Sequence, residues 1–130
     1  MTRWPYPTIV AHRGGGTLAP ENTLGAIRLG AALGFRGVEF DVMLAGDGTP
    51  VVIHDETLKR TTGRRGRVSH TAFEALEQLD AGAWRGRRWR GERIPSFAAA
   101  GALCRELGLW ANVEIKPATG HARATGAAVA

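Results

Sequence analysis

The sequence predicts an α/β fold built on a largely parallel sheet. Three observations indicate this fold class: short apolar runs alternate with longer amphipathic segments, most of those segments are long enough for crossover helices, and charged residues stand where the apolar runs end. The chain has 130 residues, the length of about one domain. Its apolar content of 44% is ordinary for a globular protein.

The first two predicted elements are a strand and a helix. Residues 8–11 form a short apolar run, which predicts a buried strand ending at His12. A glycine-rich loop follows this run. A helix is then expected over about 22–34, because Asn22 or Thr23 can cap its free N–H groups.

The next predicted element is a strand over residues 37–44 that folds back as a hairpin. Polar and apolar side chains alternate strictly there, so that Glu39 and Asp41 share one face. The other face is apolar and carries Val38, Phe40 and Val42. Asp47-Gly48 is a strong turn signal, and the connection is too short for a parallel crossover. A turn centred on this dipeptide predicts that Asp41 lies opposite His54.

The second half of the chain predicts an insertion, a helix and a strand. Residues 56–93 are expected to be an insertion that follows the hairpin, with one short helical pattern. An amphipathic helix is expected over about 96–107 and a strand over residues 109–116, with Glu114 and Lys116 on one face. The other face of that strand is expected to meet helices through Val113 and Ile115. An Ala/Gly-rich stretch follows, to which no element is assigned.

The charge of the chain is basic and local. The formal net charge is +5, with fifteen arginines and two lysines. Seven arginines fall within 27 residues: Arg64, Arg65, Arg67, Arg85, Arg87, Arg88 and Arg90. Such a cluster, interleaved with tryptophan, can grip nucleic acid or a lipid surface. We favour a solvated, partly packed lid, with the arginine excess reflecting codon usage, and expect no nucleic-acid partner.

Cysteine content and hydropathy bear on the compartment. Cys104 is the single cysteine, so no intrachain disulfide forms, and its pattern predicts a small buried helix residue. The N-terminal residues lack the apolar core of a signal peptide, and no run approaches the ~20 apolar residues of a membrane span. We therefore expect a soluble cytoplasmic protein without a transmembrane segment.

Three carboxylates and two histidines are predicted at the ends of the strands. In parallel α/β folds, reactive groups gather at the carboxyl edge of the sheet, where His12, Glu39, Asp41, His54 and Glu114 are expected. Each residue alone has an ordinary interpretation, such as a solvent-facing carboxylate or a structural histidine. Burying several carboxylates together is costly unless a cation is bound. Oxygen ligands favour Mg²⁺, Mn²⁺ or Ca²⁺ over zinc, so the pattern indicates a site for a hard cation.

Five short motifs follow one another along the chain: His12-Arg-Gly, Pro20-Glu-Asn-Thr, Glu39-Phe-Asp, His54-Asp and Glu114-Ile-Lys. In order and spacing they resemble the signature of the glycerophosphodiester phosphodiesterase family. The segments at Ile94-Pro-Ser and Asp80-Ala-Gly-Ala-Trp also look like that family. Each motif alone is weak evidence, but five in register are highly specific. The resemblance covers nearly all of residues 8–117.

The resemblance implies a TIM-barrel (β/α) fold and metal-dependent hydrolysis of glycerophosphodiesters to glycerol 3-phosphate and an alcohol. The implied metal ligands are Glu39, Asp41 and Glu114. The implied acid/base pair is His12 and His54, and the implied phosphate-binding residues are Arg13 and Lys116. The cofactor would be a divalent cation, Mg²⁺ or Ca²⁺ or else Mn²⁺, and the substrate a small-molecule glycerophosphodiester. The resemblance also implies the neighbouring glycerol hydroxyl of the substrate as the attacking group, which would give a cyclic phosphate that water opens.

The length of the chain departs from the family pattern. A complete eight-stranded barrel takes about 250 residues, so residues 1–130 are expected to be the N-terminal portion of the barrel, with 56–93 as its insertion. A half-barrel leaves bare strand edges. We therefore expect a lone chain to be marginal, aggregation-prone or dimeric, with weak activity. The expected partner is a second copy of the chain in a homodimer or the missing C-terminal half, and the chain would be a fragment, a truncated gene product or half of an assembled barrel. The alternative function is a non-catalytic remnant that binds anionic ligands or surfaces through its arginines.

Overall fold

The computed structural model describes residues 3–130 as an α/β fold with a three-stranded sheet in the order β2–β1–β3. The strands are β1, Gly37–Leu44; β2, Pro50–Val52; and β3, Trp110–Ile115. The helices are α1, Leu24–Ala32; α2, Lys59–Thr62; α3, Phe73–Leu76; α4, Phe97–Glu106; and α5, Ala122–Val129. β1 pairs parallel with β3 and antiparallel with β2, so the predicted hairpin and parallel crossover are both present.

The strand predicted over residues 8–11 is wrong except at its last residue. Ala11 alone pairs with β1, as an isolated parallel bridge to Val38. Its N–H donates to the carbonyl of Gly37, and its carbonyl accepts from the N–H of Glu39, both at 3.0 Å. Ile9 is 70% exposed. An apolar run becomes a buried strand only when elements cover it, and within the described residues Ile9 borders an open cleft.

The predicted register of the hairpin is wrong by one residue. Val42 lies opposite Val52, and the N–H of Ile53 donates to the carbonyl of Asp41, so Asp41 lies opposite Ile53 rather than His54. The reason is the loop length: the N–H of Ala45 donates to the carbonyl of Thr49, which leaves three residues in the turn instead of two. Gly48, with φ +84°, takes the left-handed position that such loops need.

The apolar face of β1 packs against α1 and α4, as its alternation predicts. Thr23 and Ser96 begin these helices, each accepting a hydrogen bond from the backbone three residues on. The buried cluster between them and the sheet contains Ala11, Ile27, Val38, Phe40, Val42, Val52, Ala100, Leu103 and Cys104. The placement of Cys104 in a buried helix position is confirmed. Ile115, expected to meet a helix, is 46% exposed.

The segment 56–93 covers the other side of the sheet with short helices and single 3₁₀ turns. A second buried cluster joins it to β1 and β2, and contains Met43, Ala45, Val51, Ile53, Leu58, Val68, Leu76, Ala81, Ile94 and Ala118. The segment is therefore packed along its apolar side and exposed along its arginines. Helix α5 was not predicted, and its Val129 packs against the cluster around Phe40.

Candidate active site at the carboxyl edge of the sheet

Three carboxylates converge on one point beside β1. Glu39 and Asp41 project from the same face of this strand, because side chains alternate along it. The parallel pairing places Glu114 of β3 directly beside Asp41. One oxygen from each of the three lies within 4.8 Å of the others. The strand geometry thus brings together the three residues that the sequence predicts as metal ligands.

Asp41 is buried and held by the turn that precedes α1. Asp41 is only 1% exposed. Its Oδ2 accepts a hydrogen bond of 2.9 Å from the amide Nδ2 of Asn22. The backbone N–H of Asp41 donates in return to Oδ1 of Asn22, at 3.3 Å. Asn22 adopts a left-handed backbone conformation, φ +58°, which asparagine tolerates better than most residues. The turn therefore holds the Asp41 carboxylate in place through Asn22.

Arg13 lies between the carboxylates and a fourth acidic residue, Glu21. Its backbone N–H donates to Oε2 of Glu39 at 2.9 Å, and its Nη1 pairs with Glu21. Its Nε lies 3.6 Å from Oδ2 of Asp41, too far for a hydrogen bond. This Nε is buried and has no hydrogen-bond partner among the described residues. A buried donor without an acceptor, beside a carboxylate cluster, is suited to an anionic ligand.

The two predicted acid/base histidines occupy different surroundings. The side chain of His12 is 70% exposed, and its Nε2 lies 3.9 Å from Oε2 of Glu39. His54 is only 28% exposed, and its Nδ1 lies 2.8 Å from Oδ1 of Asp55. Lys116 lines one cleft together with His54 and Asp55. The structure thus places His12 beside the carboxylates, and His54 with Lys116 in the neighbouring cleft.

The carboxylate cluster fits a divalent cation. Burial raises the pKa of Glu39 above its ordinary value, and the charges of Asp41 and Glu114 act in the same direction, against the hydrogen bond from the Arg13 backbone. The guanidinium of Arg13 lies beside Asp41 and is shared with Glu21, so it does not balance the charge of all three carboxylates. Oxygen donors at this spacing could together hold a hard cation, whose charge would offset the repulsion.

Four residues of the site were not predicted as functional from the sequence. Glu21 and Asn22 belong to the Pro20-Glu-Asn-Thr motif, which was interpreted as helix-start chemistry. Asp55 follows His54 directly, and Arg60 on α2 pairs with both Asp55 and Glu21. The motifs contained the signal for the first three residues, since each stands beside a predicted site residue in sequence or in the shared signature. Arg60 gave no such signal.

Fold and site together define a domain of the α/β barrel class, with its acidic and basic side chains at the carboxyl end of the strands. Residues 12–128 match the glycerophosphoryl diester phosphodiesterase family, and the chain belongs to this family. The family has a TIM-barrel fold, of which the described sheet forms a part, and the predicted fold class is confirmed.

The relatives are similar over most of the chain. A glycerophosphodiester phosphodiesterase of Caldanaerobacter subterraneus subsp. tengcongensis is 43% identical over 108 residues, which cover 83% of this chain and 44% of that protein. Glycerophosphodiester phosphodiesterase 1 of Homo sapiens is 42% identical over 115 residues, 87% of this chain and 34% of that protein. This chain therefore spans less than half the length of either relative.

A solved structure is also closely similar. The structure of an Oleispira antarctica phosphodiesterase in complex with the product sn-glycerol-3-phosphate has a TM-score of 0.92 and 43% sequence identity. The match covers 95% of this chain and 50% of the other.

Among the helices of residues 3–130, none is both long enough and apolar enough to cross a membrane.

Proposed function

We propose that the protein hydrolyses glycerophosphodiesters to glycerol 3-phosphate and an alcohol. The observation that carries this proposal is the convergence of Glu39, Asp41 and Glu114 within 4.8 Å, beside the free Nε of Arg13. Family membership supports it, as does the likeness to a phosphodiesterase solved with sn-glycerol-3-phosphate.

The phosphate is held by positive charge from two sides. A divalent cation on the three carboxylates, Mg²⁺, Ca²⁺ or Mn²⁺, would supply charge that stabilises the negative charge growing on the phosphate. Arg13 offers its buried Nε to a phosphate oxygen, an interaction that strengthens as that charge develops. Lys116 borders the same cleft as His54 and provides a second cationic contact. These residues bind and orient the diester.

The histidines move the protons. One of His12 and His54 takes a proton from the attacking hydroxyl, and the other gives a proton to the leaving alcohol. The Asp55 carboxylate can only accept, so it keeps the proton of His54 on Nδ1 and leaves Nε2 to face the reaction. His12 is exposed and remains free to approach the bound diester.

The arginine-rich segment does not favour the alternative function of an anion-binding remnant. Arg85 and Arg88 donate to the carbonyls of Thr17 and Leu18. Their guanidinium groups also lie 6.0 Å and 5.0 Å from the ring centroids of Trp84 and Trp89, respectively. These arginines are engaged within the molecule, where they fasten the segment to the loop after Arg13. A lid held in this way agrees better with a closed active site than with an open binding surface.

An assay of glycerol 3-phosphate release tests the proposal. The purified chain is given glycerophosphocholine, glycerophosphoethanolamine, glycerophosphoglycerol or glycerophosphoinositol, with Mg²⁺, Ca²⁺ or Mn²⁺ and with EDTA. Release that EDTA abolishes is expected, and His54→Ala should lower it by ~10²–10⁴. His70→Ala is the matched control, since His70 is exposed on a 3₁₀ turn in the segment 56–93. Absence of any release, with binding to anionic vesicles instead, would favour the remnant.

A further inference from the structure

Arg60, which the proposed mechanism does not use, stands at the centre of a chain of charged groups. Its Nε and Nη2 donate to the two oxygens of Asp55, at 2.8 Å and 3.0 Å. Its Nη1 donates to Oε1 of Glu21. The other oxygen of Glu21 accepts from Nη1 of Arg13, and the carboxylate of Asp55 contacts His54. One guanidinium therefore connects the two carboxylates that hold the phosphate-binding arginine and an acid/base histidine.

The contacts of Arg60 fix its orientation. Two parallel hydrogen bonds to one carboxylate define the plane of the guanidinium fork. The same group lies 5.9 Å from the ring centroid of Trp84, on its face. A lysine in this position could reach one carboxylate but could not make the fork. Although the side chain is 44% exposed, three neighbours hold it through three hydrogen bonds and one aromatic ring face.

The two carboxylates that Arg60 joins are more enclosed than Arg60 itself. The side chain of Glu21 is 9% exposed and that of Asp55 is 25% exposed. Burial would raise the pKa of Glu21, but hydrogen bonds from Arg60 and Arg13 outweigh it and hold the pKa below its ordinary value. The hydrogen bond from Arg60 likewise holds the pKa of Asp55 well below its ordinary range. Both carboxylates are thus kept ionised, and able to accept, by the same residue.

We propose that Arg60 is a positioning residue that couples the orientation of Arg13 to that of His54. Its hydrogen bonds orient the Asp55 carboxylate, which keeps the proton on Nδ1 of His54. Through its hydrogen bond to Glu21 it orients the carboxylate that accepts from Nη1 of Arg13. This pairing leaves the Nε of Arg13 without a partner among the described residues and available to the site. The coupling concerns the proposed phosphodiesterase site, so its catalytic meaning rests on the proposed function. The geometric coupling itself does not.

Nuclear magnetic resonance of the free chain tests the coupling without any substrate. The ring nitrogens of His54 and the Nε–H signal of Arg13 report the two ends. Glu21→Gln should shift the His54 ring nitrogens, although Glu21 makes no hydrogen bond to His54 among the described residues. Asp55→Asn should shift the Arg13 signal in the same indirect way. Both cross-effects should vanish in an Arg60→Gln background, as in a double-mutant cycle.

Controls separate the possible outcomes. Arg65→Gln is the matched control, because Arg65 is exposed in the same segment and forms no ion pair within residues 3–130; it should leave both signals in place. If Arg60→Gln disturbs the amide spectrum throughout, Arg60→Lys replaces it as the background, and the cross-effects should be weakened. Cross-effects that are absent, or that persist at full size without Arg60, would overturn the coupling.

Turnover then separates this inference from the proposed function. Arg60→Gln should lower kcat/KM for glycerophosphodiester hydrolysis by about 10- to 100-fold, the weight of a residue that orients others, and Arg60→Lys should recover part of the loss. If the wild-type chain shows the cross-effects but no hydrolysis, the coupling stands and the proposed function fails. If it hydrolyses the diester and shows no cross-effects, the coupling fails alone.

Discussion

Asn22→Ala tests whether the turn before α1 holds Asp41 in the sheet. The change removes a hydrogen bond to a buried carboxylate, which contributes about 2 kcal/mol, and a longer one to its backbone N–H, about 1 kcal/mol. Alanine at φ +58° adds about 1 kcal/mol of backbone strain. The free energy of unfolding should therefore fall by about 4 kcal/mol, a large part of the ~5–15 kcal/mol of a typical domain.

Urea unfolding followed by circular dichroism measures this loss. Asn22→Gly removes the same side chain but accepts a positive φ, so it should cost about 1 kcal/mol less than Asn22→Ala. Asn112→Ala is the matched control, because Asn112 is exposed on β3 and the change should stay within about 0.5 kcal/mol. If Asn22→Ala lowered the free energy of unfolding by less than about 1 kcal/mol, the conclusion that Asn22 holds Asp41 in place would be refuted.

Three further substitutions test the ion pairs and the packing. Because hydrogen bonding to Arg60 holds the pKa of Asp55 below its ordinary value, the stabilisation is complete above about pH 4 and is lost as the pH falls below it. The stability difference between wild type and Asp55→Asn, from urea unfolding at several pH values, should shrink on acidification; a constant difference would contradict this. Gly30→Ala places a methyl group against the carbonyl oxygen of Gly14 and should destabilise by about 1–3 kcal/mol. Gly126→Ala, in α5 with open space around it, should stabilise by about 0.5–1 kcal/mol in the same urea unfolding experiments, and equal effects of the two substitutions would count against the packing.

The sequence predicted those features that depend on periodicity and capping. Strict alternation placed Glu39 and Asp41 on one face of β1, and both are buried there. Thr23, one of the two predicted cap residues of α1, was recognisable because its hydroxyl serves the nearest free N–H group. These are local signals, and local signals survive in the folded chain.

Features that depend on distant contacts were not predictable. The hairpin register depended on one extra loop residue, because an Asp-Gly signal does not distinguish a two-residue turn from a three-residue turn. α5 contains few large apolar residues, so its helical pattern was too weak to recognise. The role of Arg60 depends on Glu21, 39 residues away in sequence, and on the left-handed turns at Arg13 and Asn22. No pattern within one segment carries that information.

Cation binding to the free chain is the most direct test of the central claim, that Glu39, Asp41 and Glu114 form one metal site. Isothermal titration with Mn²⁺ and with Mg²⁺ should show one cation per chain. Asp41→Asn and Glu114→Gln should each abolish or greatly weaken this binding, whereas Glu106→Gln, at an exposed position on α4, should leave it unchanged. Binding that is absent from the wild type, or that survives Asp41→Asn undiminished, would contradict the account.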